Sequence, residues 1–186
     1  MTCIVGMIDN GKVWIGGDSA SGNGLDVTVR KDTKVFKNSD FLIGYTSSFR
    51  MGQLLRFKFN PPIYYAEQHN NDPYQYMCTD FIDSIRKCLK DGGYTTIENN
   101  EEFGGVFLVG FQGRLFHIES DFQVGEAIAK YNAVGCGAKY AKGSLYSSWN
   151  FHDNKIYGPD EIIREALLAA ENFSGGVRSP FNIESI

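Results

Sequence analysis

Met1-Thr2-Cys3-Ile4-Val5-Gly6, Gly16-Gly17-Asp18-Ser19 and Thr33-Lys34-Val35-Phe36 are the stretches on which the reading of this chain turns. If Met1 is removed, Thr2 carries both a hydroxyl and a free α-amine. One residue then holds a nucleophile and its own general base. An α-amine has a reference pKa of about 7.7–8.0, so part of it is neutral and basic near pH 7. A buried Lys34 ammonium near that amine would favour its neutral form, and the Asp18 carboxylate would hold the ammonium in place. Met-Thr alone is far more often just the start of a strand. Asp18 and Lys34 are what give the chemical reading its weight.

Working outward, Cys3–Ile8 and Lys12–Ile15 read as strands, with Asn10-Gly11 a two-residue hairpin turn between them. Lys34–Lys37 and Phe41–Tyr45 form a second such pair around Asn38-Ser39-Asp40. The period then changes. Met51, Leu54 and Leu55 predict a helix after the cap residues Ser47-Ser48, ended by Pro61-Pro62. Asp72-Pro73 opens another, with Tyr74, Met77, Cys78, Phe81, Ile85, Cys88 and Leu89 on one face and Asp91-Gly92-Gly93 as its stop. Strands resume at Gly105–Phe111 and Arg114–Glu119, turning at Gln112-Gly113, and again at Tyr131–Val134. Two helices follow, at about Ala138–Trp149 and from Pro159-Asp160 to Phe173. Glu67–Asn71 and Glu98–Glu102 read as surface loops. Antiparallel hairpins with segregated helix pairs predict an α+β fold with helices on the outer faces of two stacked sheets. One domain over residues 1–186 is expected.

Thr2-Cys3-Ile4-Val5-Gly6, Gly17-Asp18-Ser19 and Lys34-Val35 resemble the opening of proteasome β subunits and of the bacterial HslV peptidase. In that family Thr, Asp and Lys stand at equal steps, and here the step from Thr2 to Asp18 equals that from Asp18 to Lys34. Val134-Gly135-Cys136-Gly137 with Ala138-Lys139-Tyr140-Ala141 is similar to the family's Gly-Ser-Gly segment and helix. Glu171-Asn172-Phe173-Ser174-Gly175-Gly176 resembles its late Asp-x-x-Ser-Gly-Gly segment. The stretch from about Asn60 to Glu102 has no match. The resemblance implies the four-layer αββα sandwich of N-terminal nucleophile hydrolases and amide hydrolysis through a Thr2 acyl-enzyme. Lys34 would tune the amine and stabilise developing charge, held by Asp18.

The chain departs from the family pattern in three places. The usual Ala-Gly-Gly of the oxyanion segment is Thr46-Ser47-Ser48. The donor there is a backbone N–H, so Ser47 can supply it provided its φ is not positive. Cys136 replaces the Ser beside the amine, a thiol being a weaker hydrogen-bonding group. Glu171 replaces Asp, while Ser174 is retained. The family's first specificity pocket maps onto Ser21, Asp32, Phe36, Tyr45 and Phe49. Three aromatics would make it shallow and apolar, with Asp32 at the rim favouring basic residues.

Composition supports this reading by exclusion. The chain has 186 residues, 42% hydrophobic and 22% charged, enough for a sizeable core. Its net charge of −4 and lack of charge runs argue against a nucleic-acid footprint. No apolar stretch approaches a membrane span, and no signal peptide or propeptide is read at the start, so a cytoplasmic protein is expected. Cys3, Cys78, Cys88 and Cys136 show neither CxxC pairing nor metal-ligand spacing, and are read as reduced thiols. No metal or cofactor is expected. The family implies a ring of six or seven identical subunits, two rings face to face, enclosing the sites from folded proteins. It also implies peptide or unfolded-protein substrates and an ATPase unfoldase as partner. Three other readings stand beside it: a Cys136 nucleophile with His117 as base, a small-molecule amidase with the same N-terminal chemistry, and an inactive ring or scaffold subunit that keeps Met1.

Overall fold

The computed structural model describes residues 1–23, 26–151 and 157–186. Its strands are β1 (Cys3–Asp9), β2 (Lys12–Gly17), β3 (Ala20–Asn23), β4 (Asp26–Val29), β5 (Val35–Asn38), β6 (Phe41–Tyr45), β7 (Thr96–Glu98), β8 (Glu101–Phe103), β9 (Phe107–Phe111), β10 (Arg114–Ile118), β11 (Val124–Glu126), β12 (Tyr131–Gly135) and β13 (Asn182–Ser185). Its helices are α1 (Phe49–Phe57), α2 (Pro73–Tyr76), α3 (Ile82–Asp91), α4 (Ala138–Phe151) and α5 (Pro159–Phe173), with a π-helical turn Met77–Phe81 joining α2 to α3.

Two antiparallel sheets stack on each other, one ordered β12-β1-β2-β13 and the other β11-β10-β9-β6-β5. The fold is an α+β, four-layer αββα sandwich. Alternation along β1 shows how the sequence builds it, because successive side chains leave a strand on opposite faces. Cys3, Val5 and Met7 pack with Ala141, Leu145, Ile163 and Leu167 of α4 and α5. Ile4 points the other way and meets Val13, Ile15, Leu42 and Leu108 between the sheets. A third layer sets Phe107, Val109 and Phe111 of β9 against Met51, Leu55, Phe81 and Leu89 of the other helix pair. Gly44 lets the sheets approach: a Cβ there would fall 2.6 Å from Ile4 Cγ2.

The hairpin turns follow residue chemistry. Asn10 and Gly11 both have positive φ, as do Gln112 and Gly113, which fits a two-residue turn matched to strand twist. Ser48 caps α1 by accepting from Arg50 N at 3.0 Å, and Asp72 caps α2 by accepting from Tyr74 N at 2.9 Å with Pro73 following.

Several expectations need correction. Glu98–Glu102 is a hairpin, β7 to β8, turning at Asn99-Asn100 with φ of 51° and 68°. Glu67–Asn71 largely forms a 3-10 turn whose His69 is buried under Tyr76. Tyr74 and Cys78 do not lie on the buried face; Tyr76 and Ile82 do. The π turn holds more residues than an α turn and so rotates the apolar stripe. The chain leaves α1 at Lys58, before the prolines. β3, β4, β11 and β13 had no expected counterpart. Among the described residues no helix is long and apolar enough to cross a membrane.

Candidate active site

Thr2 stands immediately before β1 and is 5% exposed. The β1–β2 hairpin returns the chain so that Ile4 pairs with Gly17, which puts Asp18 beside Cys3. Lys34 precedes β5 in the facing sheet and reaches across the interface. Its Nζ donates to Asp18 Oδ1 at 2.8 Å and to Thr2 Oγ1 at 2.9 Å. Lys34 and Asp18 are each 1% exposed. A buried ion pair is tolerable only when its remaining valences are filled. Asp18 meets that demand: its carboxylate also accepts from Cys3 N and Ala20 N, both at 2.9 Å, and from Arg178 N at 3.2 Å. Burial pulls the Lys34 pKa below the ordinary lysine range, and the Asp18 charge and hydrogen bond partly oppose that pull. Burial, then Asp18, pushes the Cys3 thiol up to about 12, which leaves it protonated and inert.

On the other side of Thr2, Cys136 Sγ accepts from Thr2 N at 3.2 Å and donates to Thr2 O at 3.3 Å. Ser174 Oγ donates to the same sulfur at 3.4 Å. Cys136 is exposed. The structure therefore brings Thr2, Asp18, Lys34, Cys136 and Ser174 together. Thr2 Oγ1 also contacts the Met1 carbonyl oxygen. The Met1 side chain lies between two glycines: a Cβ on Gly22 would fall 1.4 Å from Met1 Cε, and one on Gly176 would fall 2.7 Å from Met1 Cβ.

Ser47 lies within reach of Thr2 but breaks the condition set for it. Its φ is 61°, and Ser48 N donates to Thr46 O around it at 2.7 Å, a strained γ-turn. The turn is anchored: Val106 N donates to Ser47 Oγ at 3.0 Å, and Thr46 N and Oγ1 both donate to Val106 O, at 3.0 and 2.9 Å. Among the described residues the Ser47 N–H makes no hydrogen bond.

Other expected site residues are placed elsewhere. Among the described residues Glu171 makes no hydrogen bond to Ser174, Cys136 or Thr2; its Oε1 accepts from Ser179 N at 2.7 Å. It braces the segment whose Arg178 N bonds Asp18, so its extra methylene is spent on the brace. The small recess beside Thr2, about 70 Å³, is lined by Ser21, Tyr45 and Phe49 with Gly22 and Thr46–Ser48. Phe36 is not in it; it is core, 4% exposed. Asp32 is not free at the rim: Arg30 donates to both its oxygens at 2.7 Å, and that hydrogen bonding lowers the carboxyl pKa. The rim cation is Arg30, whose guanidinium lies 3.9 Å from the Phe49 ring centroid. Tyr45 lies flat over Gly52 and its phenol is pushed up to about 12 by burial. His117 sits on β10 against Gly125, Glu119 and Asn132, so nothing pairs it with Cys136. The residues that sequence reading missed are Arg178, acting through its backbone, and Arg30; no local signal marks the first. A larger groove of about 430 Å³ between α1 and α3 holds none of the site residues.

A four-layer αββα sandwich with Thr2 at the mouth of its two sheets has the fold of HslV-like, proteasome-type N-terminal nucleophile hydrolases. Among solved structures, the chain is similar to Thiobacillus denitrificans BPH, with TM-score 0.78, 18% identity, and 100% of this chain and 97% of that one covered. It is similar to the same protein in complex with epoxomicin, with TM-score 0.75, 17% identity and coverages of 100% and 98%. A third is eukaryotic HslV from Trypanosoma brucei, with TM-score 0.67, 18% identity and coverages of 99% and 98%. No protein-family model and no curated protein matches the sequence.

Proposed function

We propose that this chain is a threonine-type peptidase whose nucleophile is Thr2. The observation that carries the reading is the buried relay of Thr2 Oγ1, Lys34 Nζ and Asp18 at 2.9 and 2.8 Å. Removal of Met1 frees the α-amine and vacates the space between Gly22 and Gly176. The amine, through a water or directly, takes the Thr2 hydroxyl proton as Oγ1 attacks the substrate carbonyl. Lys34 lowers the amine's affinity for a proton and offsets the negative charge that develops. The free Ser47 N–H donates to the oxyanion. Collapse gives an acyl-Thr2 ester, the amine proton leaves with the departing amine, and water hydrolyses the ester. Peptides or unfolded chains are the substrate class. The chain works as a single domain in a cytoplasmic ring of six or seven copies, two rings stacked, fed by an ATPase unfoldase.

A second reading is an inactive ring subunit. The packing of Met1 between Gly22 and Gly176 favours it, since a retained Met1 leaves no amine on Thr2. Intact mass separates the two. Protein made in a bacterial cytoplasm should be lighter by one methionine. Epoxomicin, which the Thiobacillus relative holds, should add its mass to the peptide carrying Thr2, and should not do so in Thr2→Ala. Complete retention of Met1, or peptide hydrolysis undiminished in Thr2→Ala, would sink the peptidase assignment.

A further inference from the structure

Cys136 is chemically out of place beside a nucleophile. It is an exposed thiol with its sulfur 3.2 Å from Thr2 N, 3.3 Å from Thr2 O and 3.4 Å from Ser174 Oγ. The other cysteines differ in kind. Cys3 is fully buried among the residues under α4 and α5. Cys88 is half-buried beneath α1, its thiol donating to Leu54 O at 3.8 Å. Cys78 is exposed but belongs to the π turn, away from Thr2. Oxidant-sensitive thiols are accessible, lie in electropositive surroundings, and have a second group poised to trap the oxidised sulfur. Cys136 meets each condition. It is open to solvent. Lys34 Nζ and Cys136 Sγ both contact Thr2, which sets the ammonium near the sulfur. The poised group is the Thr2 nitrogen, a backbone N–H where Met1 is present and an α-amine once it is removed.

We infer that Cys136 is a peroxide-modification site that reversibly closes the active site by forming a sulfur–nitrogen bond to Thr2. The inference rests on the peptidase reading for its effect on turnover. The chemistry balances in two steps. The Cys136 thiolate attacks one peroxide oxygen, the O–O bond breaks, and the departing hydroxide takes a proton to become water. The sulfur is oxidised by two electrons to a sulfenic acid, and the peroxide is the species reduced. The Thr2 nitrogen lone pair then attacks that sulfur. The S–O bond breaks, and the hydroxyl leaves with the nitrogen's proton as a second water. This second step involves no net redox change. The resulting sulfenamide nitrogen has lost a hydrogen and much of its basicity, so it no longer serves as the base for Oγ1. Reduction reverses the bond: an added thiol attacks the sulfur, Thr2 nitrogen leaves and is reprotonated, and a second thiol clears the mixed disulfide.

The geometry favours this trap over a disulfide with Cys3. A hydroxyl in place of the thiol could make the same hydrogen bonds but could not be oxidised this way. The neighbouring thiol, Cys3, faces the helix layer: a Cβ added at Gly137 would fall 2.8 Å from Cys3 Cβ, among Ala170 and Val177. A disulfide from Cys136 would have to reach into that layer, whereas Thr2 N already touches the sulfur.

The test uses the full-length protein treated with hydrogen peroxide at low molar excess, then with dithiothreitol, read by peptide turnover and by peptide mapping on the same samples. Activity is expressed as the ratio of treated to untreated within each variant. Wild type and Cys78→Ser should each lose at least about tenfold, and dithiothreitol should restore them. The ratio for Cys136→Ser should stay near one. Mapping should find the Thr2 and Cys136 peptides joined, with two hydrogens lost and no added oxygen. A Cys3–Cys136 disulfide, a sulfinic acid as the sole product, or equal peroxide sensitivity in Cys136→Ser would each overturn the inference. Untreated protein that hydrolyses no peptide overturns the peptidase reading instead, and the mass of the joined peptides still decides the sulfur–nitrogen bond.

Discussion

Thr2 has two unlike neighbourhoods. Toward the sheet interface, Asp18 and Lys34 are sealed from water and bonded to four segments of chain, with the carboxylate taking three backbone N–H groups besides the ammonium. Toward the surface, Cys136, Ser174 and the Ser47 turn are open, joined to Thr2 by long sulfur contacts or by none. A group in the first neighbourhood has no substitute when its partner is lost. A group in the second has water at hand. Of the departures from the HslV-like pattern, Ser47 and Cys136 fall on the second and Glu171 lies outside both, holding Ser179, while Thr2, Asp18 and Lys34 do not differ.

That contrast is breakable, and the largest effect should come from Lys34→Met. The substitution keeps length and loses charge, which leaves Asp18 a buried, uncompensated carboxylate. Denaturant unfolding should show a loss of about 3–5 kcal/mol, and peptide turnover should drop by at least about 10²-fold. Turnover within a few-fold of wild type would mean that the sealed side is scaffold.

The pH profile sharpens the same point. Burial lowers the Lys34 pKa, so on the alkaline side the ammonium is lost before a free lysine would be. Turnover should therefore fall at a pH below the ordinary lysine value of about 10.4. Asp18 works in the opposite direction, raising that pKa. In Asp18→Asn the alkaline limb should move to still lower pH. A limb that stays in place would detach it from Lys34.

Substitutions on the open side should be milder. Cys136→Ala should lower turnover by about tenfold or less, since water replaces part of the thiol's bonding. Cys136→Ser should keep or raise it, the hydroxyl being the better donor and acceptor. If Cys136→Ser is dead while Thr2→Ala turns over, the thiol is the nucleophile and the two neighbourhoods exchange roles.

The smallest effect isolates backbone strain at Ser47. Alanine and glycine both lose the bond from Val106 N to Ser47 Oγ, but only glycine accepts a φ of 61° without cost. Ser47→Gly should therefore be more stable than Ser47→Ala by about 1 kcal/mol, read by thermal melting.

Sequence legibility followed the same divide. The hairpins at Asn10-Gly11 and Gln112-Gly113 could be read because positive φ at both turn residues selects such pairs. Asn99-Asn100 uses the same backbone but is flanked by Glu98, Glu101 and Glu102, so no apolar alternation marked its strands. β13 is polar and half-buried, and β4 is exposed along its length, so neither carries a strand pattern. The relay of Thr2, Asp18 and Lys34 was legible through the family resemblance, whose equal steps the three residues share. Glu171 was misread because its partner, Ser179, is fixed by where the chain turns after α5, which no local motif states. Phe36 and Tyr45 are neighbours in space with rings 6.3 Å apart, yet only Tyr45 faces the recess; which of two aromatics lines a pocket is decided by sheet packing.

The bond from Arg178 N to Asp18 spans 160 residues of chain. Ser19 is stitched to the same late segment, its N donating to Arg178 O at 2.8 Å and its hydroxyl to Pro180 O at 2.6 Å. Thr2 is therefore made long before the segment that closes the cage around Asp18. Until Arg178 has been made, that carboxylate lacks one of its backbone donors. A nascent chain cut short before Arg178 carries Thr2 beside an unfinished cage.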